Sequence, residues 1–509
     1  MANKQAFFDY INSGYTTKGD AINLGAAMLD GKTITNAFVK IPLKTLNRHG
    51  LIAGATGTGK TKTLQIIAEN LSEKGIPVLL MDIKGDLSGI AQPGSNNDKI
   101  EERHAGIGFP YAAKKFPTEI LSLSDQEGVR LRATVSEFGP VLLSRILDLS
   151  DVQAGIVSVI FKYCDDHKMP LLDLKDFKKI LQYTTEEGKD EFSEEYGRIS
   201  PSSTGAILRK VVELEQQGAD LFFGEKSFDT DDLLRVDENG MGYINILRLT
   251  DIQDRPKLFS TFMLSLLAEI YATFPEQGDS DRPELVIFVD EAHLIFNEAS
   301  SALLDQIESI IKLIRSKGVG IYFCTQNPTD VPDAVLSQLG LKIQHALRAF
   351  TAKDRKTIKL TAENYPISEY YKTDEVLTTL GIGEALVSAL NEKGIPTPLA
   401  RTMLRAPMSR MDILTDGELK DLLNSSRLIP KYNEVTDRES AYEMLTAKIE
   451  IANREEAKEK AQKEREAARG TTASRSSSSR RSTANPWLKT LTSPTVIRSV
   501  LGILGKIMR

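Results

Sequence analysis

Two rhythms of apolar residues alternate along the chain. Short runs with almost no polar interruption, LIA from Leu51, VLLMDI from Val78, LVIFV from Leu285 and GIYFCT from Gly320, are separated by longer stretches whose apolar residues recur every three or four positions. Unbroken apolar runs of this length suit strands buried on both faces, and the intervening periodicity suits helices. The pattern therefore predicts a mostly parallel sheet covered by helices on either side. Extended runs are also expected at 242–249 (GYINILRL) and 342–349 (KIQHALRA). From about 140 to 235 the strand signal fades and helical spacing takes over, as in VLLSRILDLSDVQAGIVSVIFKY and STGAILRKVVELEQQG. This reads as a helical insertion that interrupts one α/β domain, whose two parts cover 47–139 and 236–410.

Residues 1–46 read as a short N-terminal module, with a helix over 4–12 and extended pieces near 22–24 and 38–43. Residues 411–469 are expected to be helical and end in a run rich in Ala, Glu, Lys and Arg. The stretch GTTASRSSSSRRSTAN has too few apolar groups to fold, so 470–493 is expected to be a flexible linker. Within 494–509, Val496, Ile497, Val500, Leu501, Leu504, Ile507 and Met508 fall on one helical face, which predicts a basic amphipathic helix.

With 509 residues, 41% of them hydrophobic, the chain has the apolar material for a large core. No apolar run approaches the roughly 20 residues of a membrane-spanning helix. The opening MANKQAFFDYINSG lacks the basic-then-apolar order of a secretory signal, and a cytoplasmic address is expected. Cys164 and Cys324 fit no metal-ligand spacing and are expected to be reduced core residues. The net charge of −6 is unevenly spread, because the segment from Thr471 to Arg509 carries seven basic residues and no acid. An acidic body still allows a local basic channel, so overall charge decides nothing about nucleic acid.

The sequence GATGTGKT matches the phosphate-binding loop G-x-x-x-x-G-K-[ST] and stands between a strand-like LIA and a helix-like KTLQIIAENL. Gly54, Ala55, Thr56, Gly57, Thr58, Gly59, Lys60, Thr61 and Lys62 are the expected nucleotide-binding residues. Gly57 and Gly59 let backbone N–H groups approach phosphate oxygens, Lys60 reaches the β- and γ-phosphates, and the Thr61 hydroxyl is a ligand for Mg²⁺. The run LVIFVDEAH supplies the second half of such a site. Asp290 is expected to hold Mg²⁺ and Glu291 to orient and polarise the attacking water. Gln326, closing GIYFCTQ, is placed to bridge that water and the γ-phosphate. Asp82, with Lys84 and Asp86 beyond it, suits either a supporting contact to the metal shell or P-loop, or a solvated loop. His293 and His49 suit either a ligand contact or a packing role, and neither belongs to a metal-ligand pattern. The expected fold class is accordingly an α/β P-loop NTPase core with a mostly parallel central sheet, a helical insertion and a helical C-terminal tail.

HGLIAGATGTGKT, DIKGDLSG, FVDEAHLIF and CTQNPTDVPDAVLSQLGLKI together resemble the HerA/FtsK superfamily of P-loop ATPases, most closely its bacterial HerA-like, YjgR-type branch, over roughly residues 22–404. The resemblance implies a RecA/ASCE-like fold, Mg²⁺-dependent ATP hydrolysis and a homo-hexameric ring that translocates double-stranded DNA. It also implies a site at each subunit interface, completed by an arginine of the neighbour. Arg315 is the first candidate for that trans arginine and Arg348 the second. In HerA proper a β-barrel that docks a nuclease precedes the ATPase core. Only the short N-terminal module precedes it here, so the nuclease is not carried over. A second reading is an ATP-driven motor or assembly factor acting on protein at a membrane surface. Trp487 and the basic amphipathic end suit an anionic lipid surface, and the same helix equally suits a groove on a neighbouring subunit or partner.

Overall fold

The apolar runs become strands buried at every position: β3 (Gly50–Ala53), β4 (Val78–Asp82), β8 (Leu285–Val289) and β9 (Val319–Thr325). The computed structural model describes residues 4–473 apart from 254, 279, 299–300, 435 and 437. The remaining strands are β1 (Ala21–Leu29), β2 (Lys32–Pro42), β5 (Thr118–Ser122), β6 (Val129–Arg130), β7 (Ile244–Arg248), β10 (Leu341–Gln344), β11 (Glu384–Ser388) and β12 (Ala400–Leu404). Among the described residues they form one twelve-stranded sheet in the order β2-β1-β12-β11-β10-β3-β9-β8-β4-β7-β5-β6. From β10 to β6 every pairing is parallel, and from β10 outward through β11, β12, β1 and β2 every pairing is antiparallel. The expected α/β class with a mostly parallel sheet is the observed one.

Parallel strands all point the same way, so their carboxyl ends share one edge of the sheet, where ligands bind in such folds. The loop after β3, Asp82 of β4, Asp290 after β8 and Gln326 after β9 all lie at that edge. Close packing fixes the register. At Gly50 a Cβ would come within 2.5 Å of the Tyr322 ring, which lies directly across on β9. The extended pieces near the N-terminus form the β1–β2 hairpin, which joins the main sheet through β12 as its antiparallel edge. The N-terminal helix runs over Lys4–Tyr15, longer than the expected 4–12.

Between β6 and β7 the chain is helical, with helices at Val135–Ile146, Asp151–Asp166, Leu174–Tyr183, Lys189–Glu195 and Pro201–Gln216. The first is broken at Gly139 (φ +74°), ahead of Pro140. Among the described residues, those up to 447 pack as one unit and those from 448 belong to a second. The described part of the second unit continues the helix Ala441–Ala473, which extends beyond the expected limit at 469. The rest of the expected linker and the amphipathic segment 494–509 lie outside the described residues. Cys164 and Cys324 are free and buried. No helix among the described residues is long and apolar enough to cross a membrane.

Candidate nucleotide-binding site

Strand β3 ends at Ala53 and a helix begins at Lys60, so residues 54–59 form the loop between them. Gly57 (φ +78°) and Gly59 (φ +111°) occupy the left-handed region, which glycine enters without steric cost. The space beside Gly57 is open, with no atom within 4 Å of where a Cβ would stand. The loop is pinned from behind. Gly54 N–H donates to the Thr325 carbonyl (3.2 Å), Ala55 N–H to Ala346 (2.9 Å), and Gly383 N–H to Thr58 (3.1 Å). The Lys60 ammonium turns back across the loop and donates to the carbonyls of Gly54 (2.7 Å) and Ala55 (3.3 Å). Burial lowers its pKa and Lys84 adds to that, against the opposing pull of Glu291 and Asp290. Thr61 is half-buried in the first helical turn, Thr56 is exposed, and Lys62 donates to the Met411 carbonyl (2.6 Å).

Asp290 and Glu291 follow β8 and are only 4% and 6% exposed. Glu291 has φ +46°, an unusual conformation for a residue with a side chain. Lys84 forms an ion pair with Glu291 and lies 3.8 Å from Asp290 Oδ2. His293 Nδ1 is 3.3 Å from Glu291 Oε2. Asp290 Oδ2 and Glu291 Oε2 are buried without hydrogen-bond partners, a costly arrangement unless a cation or polar ligand meets them. The donor set fits Mg²⁺, which Thr61 and Asp290 would hold. The Asp82 carboxylate accepts the N–H groups of Gly85 (2.7 Å), Asp86 (3.2 Å) and Leu87 (3.1 Å), and so shapes the turn that carries Lys84.

Burial pushes the pKa of Asp290 up to about 6, with Lys84 opposing and Glu291 reinforcing. Burial likewise raises Asp82 to about 6, against the pull of the Leu87 N–H. Below about pH 4 each acid is protonated in the folded and unfolded chain alike. Between about 4 and 6 the folded chain binds more protons, so its stability falls as pH rises through that window. Asp290→Asn removes one of these buried charges. It is expected to stabilise the nucleotide-free protein by roughly 2 kcal/mol at pH 8 and by little at pH 4.5. Denaturant midpoints at the two pH values check this; an equal gain at both would mean that charge is not the cause.

Gln326 is exposed just beyond β9. Its turn is fixed by Asp330, whose carboxylate accepts from the Thr325 hydroxyl and the Asn327 N–H. The two candidate arginines lie at opposite ends of the sheet. Arg348 follows β10 at the P-loop end, two residues beyond Ala346, which binds the loop. Arg315 precedes β9 at the far end and lines a cleft of about 480 Å³ with Arg48, Lys312 and Lys342. His49 is a structural bridge: its Nε2 lies 2.9 Å from the Ile311 carbonyl and its Nδ1 accepts the Ile321 N–H (3.0 Å).

Two contributors escaped the sequence reading. His345, wholly buried beneath the loop, pairs with the Thr63 hydroxyl at 2.9 Å. Burial and Lys60 lower its pKa to about 4, which keeps the imidazole neutral. The available signal was a lone histidine at the end of the strand-like KIQH. Arg103 donates to the carbonyls of Leu404 (3.2 Å) and Ile382 (3.3 Å), bracing the Gly383 turn that touches the loop. No local pattern marks it.

Comparison with known proteins places the chain in a family. The family model for the helicase HerA-like C-terminal region matches residues 28–509. The DNA double-strand break repair helicase HerA of Sulfolobus acidocaldarius is 23% identical over 391 residues, covering 75% of this chain and 70% of the relative. The HerA of Saccharolobus solfataricus is 23% identical over 430 residues, covering 84% and 77%. Among solved structures, the bacterial conjugative coupling protein TrwBdeltaN70 superposes with a TM-score of 0.52 at 15% identity, over 80% of this chain and 94% of that one. The P-loop after β3, the acidic pair after β8 two strands away, and a family match over nearly the whole chain make this protein a member of the HerA-like family, within the HerA/FtsK superfamily of P-loop ATPases.

Proposed function

We propose that this protein is an Mg²⁺-dependent ATPase that works as a homo-hexameric ring and moves along double-stranded DNA. The observation that carries the hydrolytic part is the presence at one sheet edge of Lys60 on a pinned glycine loop and of two buried acids, each with one carboxylate oxygen that accepts no hydrogen bond. The loop N–H groups and the Lys60 ammonium bind the β- and γ-phosphates. Thr61 and Asp290 would hold Mg²⁺, which would supply positive charge to the phosphate oxygens. Glu291 takes the proton of the water that attacks the γ-phosphorus in line, Gln326 aligns that water, and the bond from the γ-phosphorus to the bridging oxygen breaks so that ADP leaves.

Glu291→Gln keeps size and hydrogen-bonding capacity but loses the proton acceptor. It is expected to retain ATP binding while turnover falls roughly 100-fold or more. Phosphate release and nucleotide affinity, measured side by side, check this; parental turnover in the variant removes Glu291 from the mechanism.

The DNA part is supported by relatives named for DNA work: the double-strand break repair helicases and the DNA import protein CedB of Sulfolobus acidocaldarius, 23% identical over 387 residues. The test is the ATPase rate with and without duplex DNA at two salt concentrations. A DNA translocase is stimulated by duplex, and less so at high salt, because phosphate contacts release counterions. Indifference to DNA combined with stimulation by anionic vesicles would replace this reading with a motor acting at a membrane surface.

A further inference from the structure

We propose that Lys84 is the resting-state cation of the site: it ties up the Glu291 carboxylate in an unproductive ion pair and gives way when Mg²⁺ and ATP arrive. The proposal rests on the ATPase reading above and adds a control step to it. Lys84 does not reach the acids by chance of a floppy surface chain. β4 and β8 are hydrogen-bonded neighbours, with Met81 opposite Val289, so the turn after β4 faces the acidic pair after β8. That turn is held rigidly. Asp82 accepts three of its N–H groups, and Gly85 (φ +76°) takes a left-handed conformation where a Cβ would also meet Thr250 Cγ2 at 2.8 Å.

The charges then define two exclusive states. Without nucleotide, the buried acids need a counter-charge. The Lys60 ammonium is turned onto the loop carbonyls, so the cation in contact with Glu291 Oε1 is Lys84. A carboxylate bonded to an ammonium is a weak proton acceptor. A divalent cation at Asp290 Oδ2 would repel the Lys84 ammonium, which lies 3.8 Å from that same oxygen. Loading the metal nucleotide therefore favours departure of Lys84, and that departure frees Glu291. Lys84 is on this view a positioning residue, acting through Glu291.

The test titrates Mg²⁺ at pH 8 against binding of a fluorescent, non-hydrolysable ATP analogue, comparing the parental protein with Lys84→Met, Lys84→Gln and Lys84→Arg. Both neutral variants are expected to lower the half-saturating Mg²⁺ roughly fivefold, because no resident cation competes. Their kcat for phosphate release is expected to rise with KM for ATP unchanged, while Lys84→Arg stays at the parental Mg²⁺ requirement. Lys84→Gln keeps a hydrogen-bond donor, so it gives the reading if the methionine variant does not fold. Unchanged or higher half-saturating Mg²⁺ in the neutral variants overturns the proposal. So does a fall of kcat to the Glu291→Gln level, which would make Lys84 a phosphate-contacting group. A parental protein that neither binds nor hydrolyses ATP overturns the ATPase reading itself. An active parent whose neutral variants do not shift overturns the Lys84 step alone.

Discussion

Replacing Lys60 by Ala is expected to weaken ATP binding and lower turnover by roughly 10³ or more. The magnitude follows from where the ammonium sits. It is 6% exposed and held 2.7 Å from the Gly54 carbonyl, so it meets the phosphates in a site from which water is largely excluded. Charge–charge attraction there is worth far more than on the surface. The loop keeps other anchors when the Lys60 bonds to the Gly54 and Ala55 carbonyls are lost. Ala55, Thr58 and Gly54 are fixed by backbone bonds to Ala346, Gly383 and Thr325, so the variant should fold. Circular dichroism together with nucleotide titration separates loss of the ligand from loss of the fold. A folded Lys60→Ala protein with parental turnover would refute the P-loop assignment.

The Arg315→Ala substitution is expected to depress turnover by roughly 10³, with a much smaller effect on nucleotide affinity, because an arginine finger acts on charge developing in the transition state. Geometry makes the prediction specific. Arg315 precedes the seven-residue strand β9, whereas the P-loop lies past the carboxyl end of its neighbour β3. At about 3.3 Å per residue the two are roughly 20 Å apart. Arg315 can therefore serve only a neighbour's nucleotide, while Arg348 shares an edge with its own P-loop. Mixing Lys60→Ala protein with Arg315→Ala protein is expected to restore part of the activity, since mixed rings contain intact P-loops facing intact Arg315. Subunit exchange is first verified by tag pull-down. If exchange occurs and no activity returns while Arg348→Ala mixtures do recover, Arg348 is the finger. If neither pair recovers, or the protein is a fully active monomer, the ring mechanism fails.

Much of the parallel half of the sheet was legible because β3, β4, β8 and β9 are largely apolar runs, and the P-loop follows β3 and the acidic pair follows β8. The antiparallel half was not. EALVS and ARTML, the sequences of β11 and β12, are short and mix polar with apolar residues, and their pairing with β10 and β1 depends on contacts distant in sequence. The extended pieces of the N-terminal module were visible, but nothing local says that they complete the same sheet through β12. At the site, the residue types that bind phosphate and metal follow a spacing, so they could be read. Residues that brace them follow tertiary proximity: His345 lies under Gly54, and Arg103 reaches the Gly383 turn across almost 300 residues of chain. Asp82 was read with two possible roles, and the hydrogen bonds to its own turn account for its burial without a metal contact.

The most direct measurement is inorganic phosphate release from ATP by the purified protein at pH 8, with Mg²⁺ and with the metal chelated, alongside Lys60→Ala. Turnover that requires Mg²⁺, vanishes on chelation and is absent from Lys60→Ala is the expected result. A folded protein that binds the metal nucleotide yet releases no phosphate, with or without duplex DNA or anionic vesicles, would contradict it, as would turnover that survives the loss of Lys60.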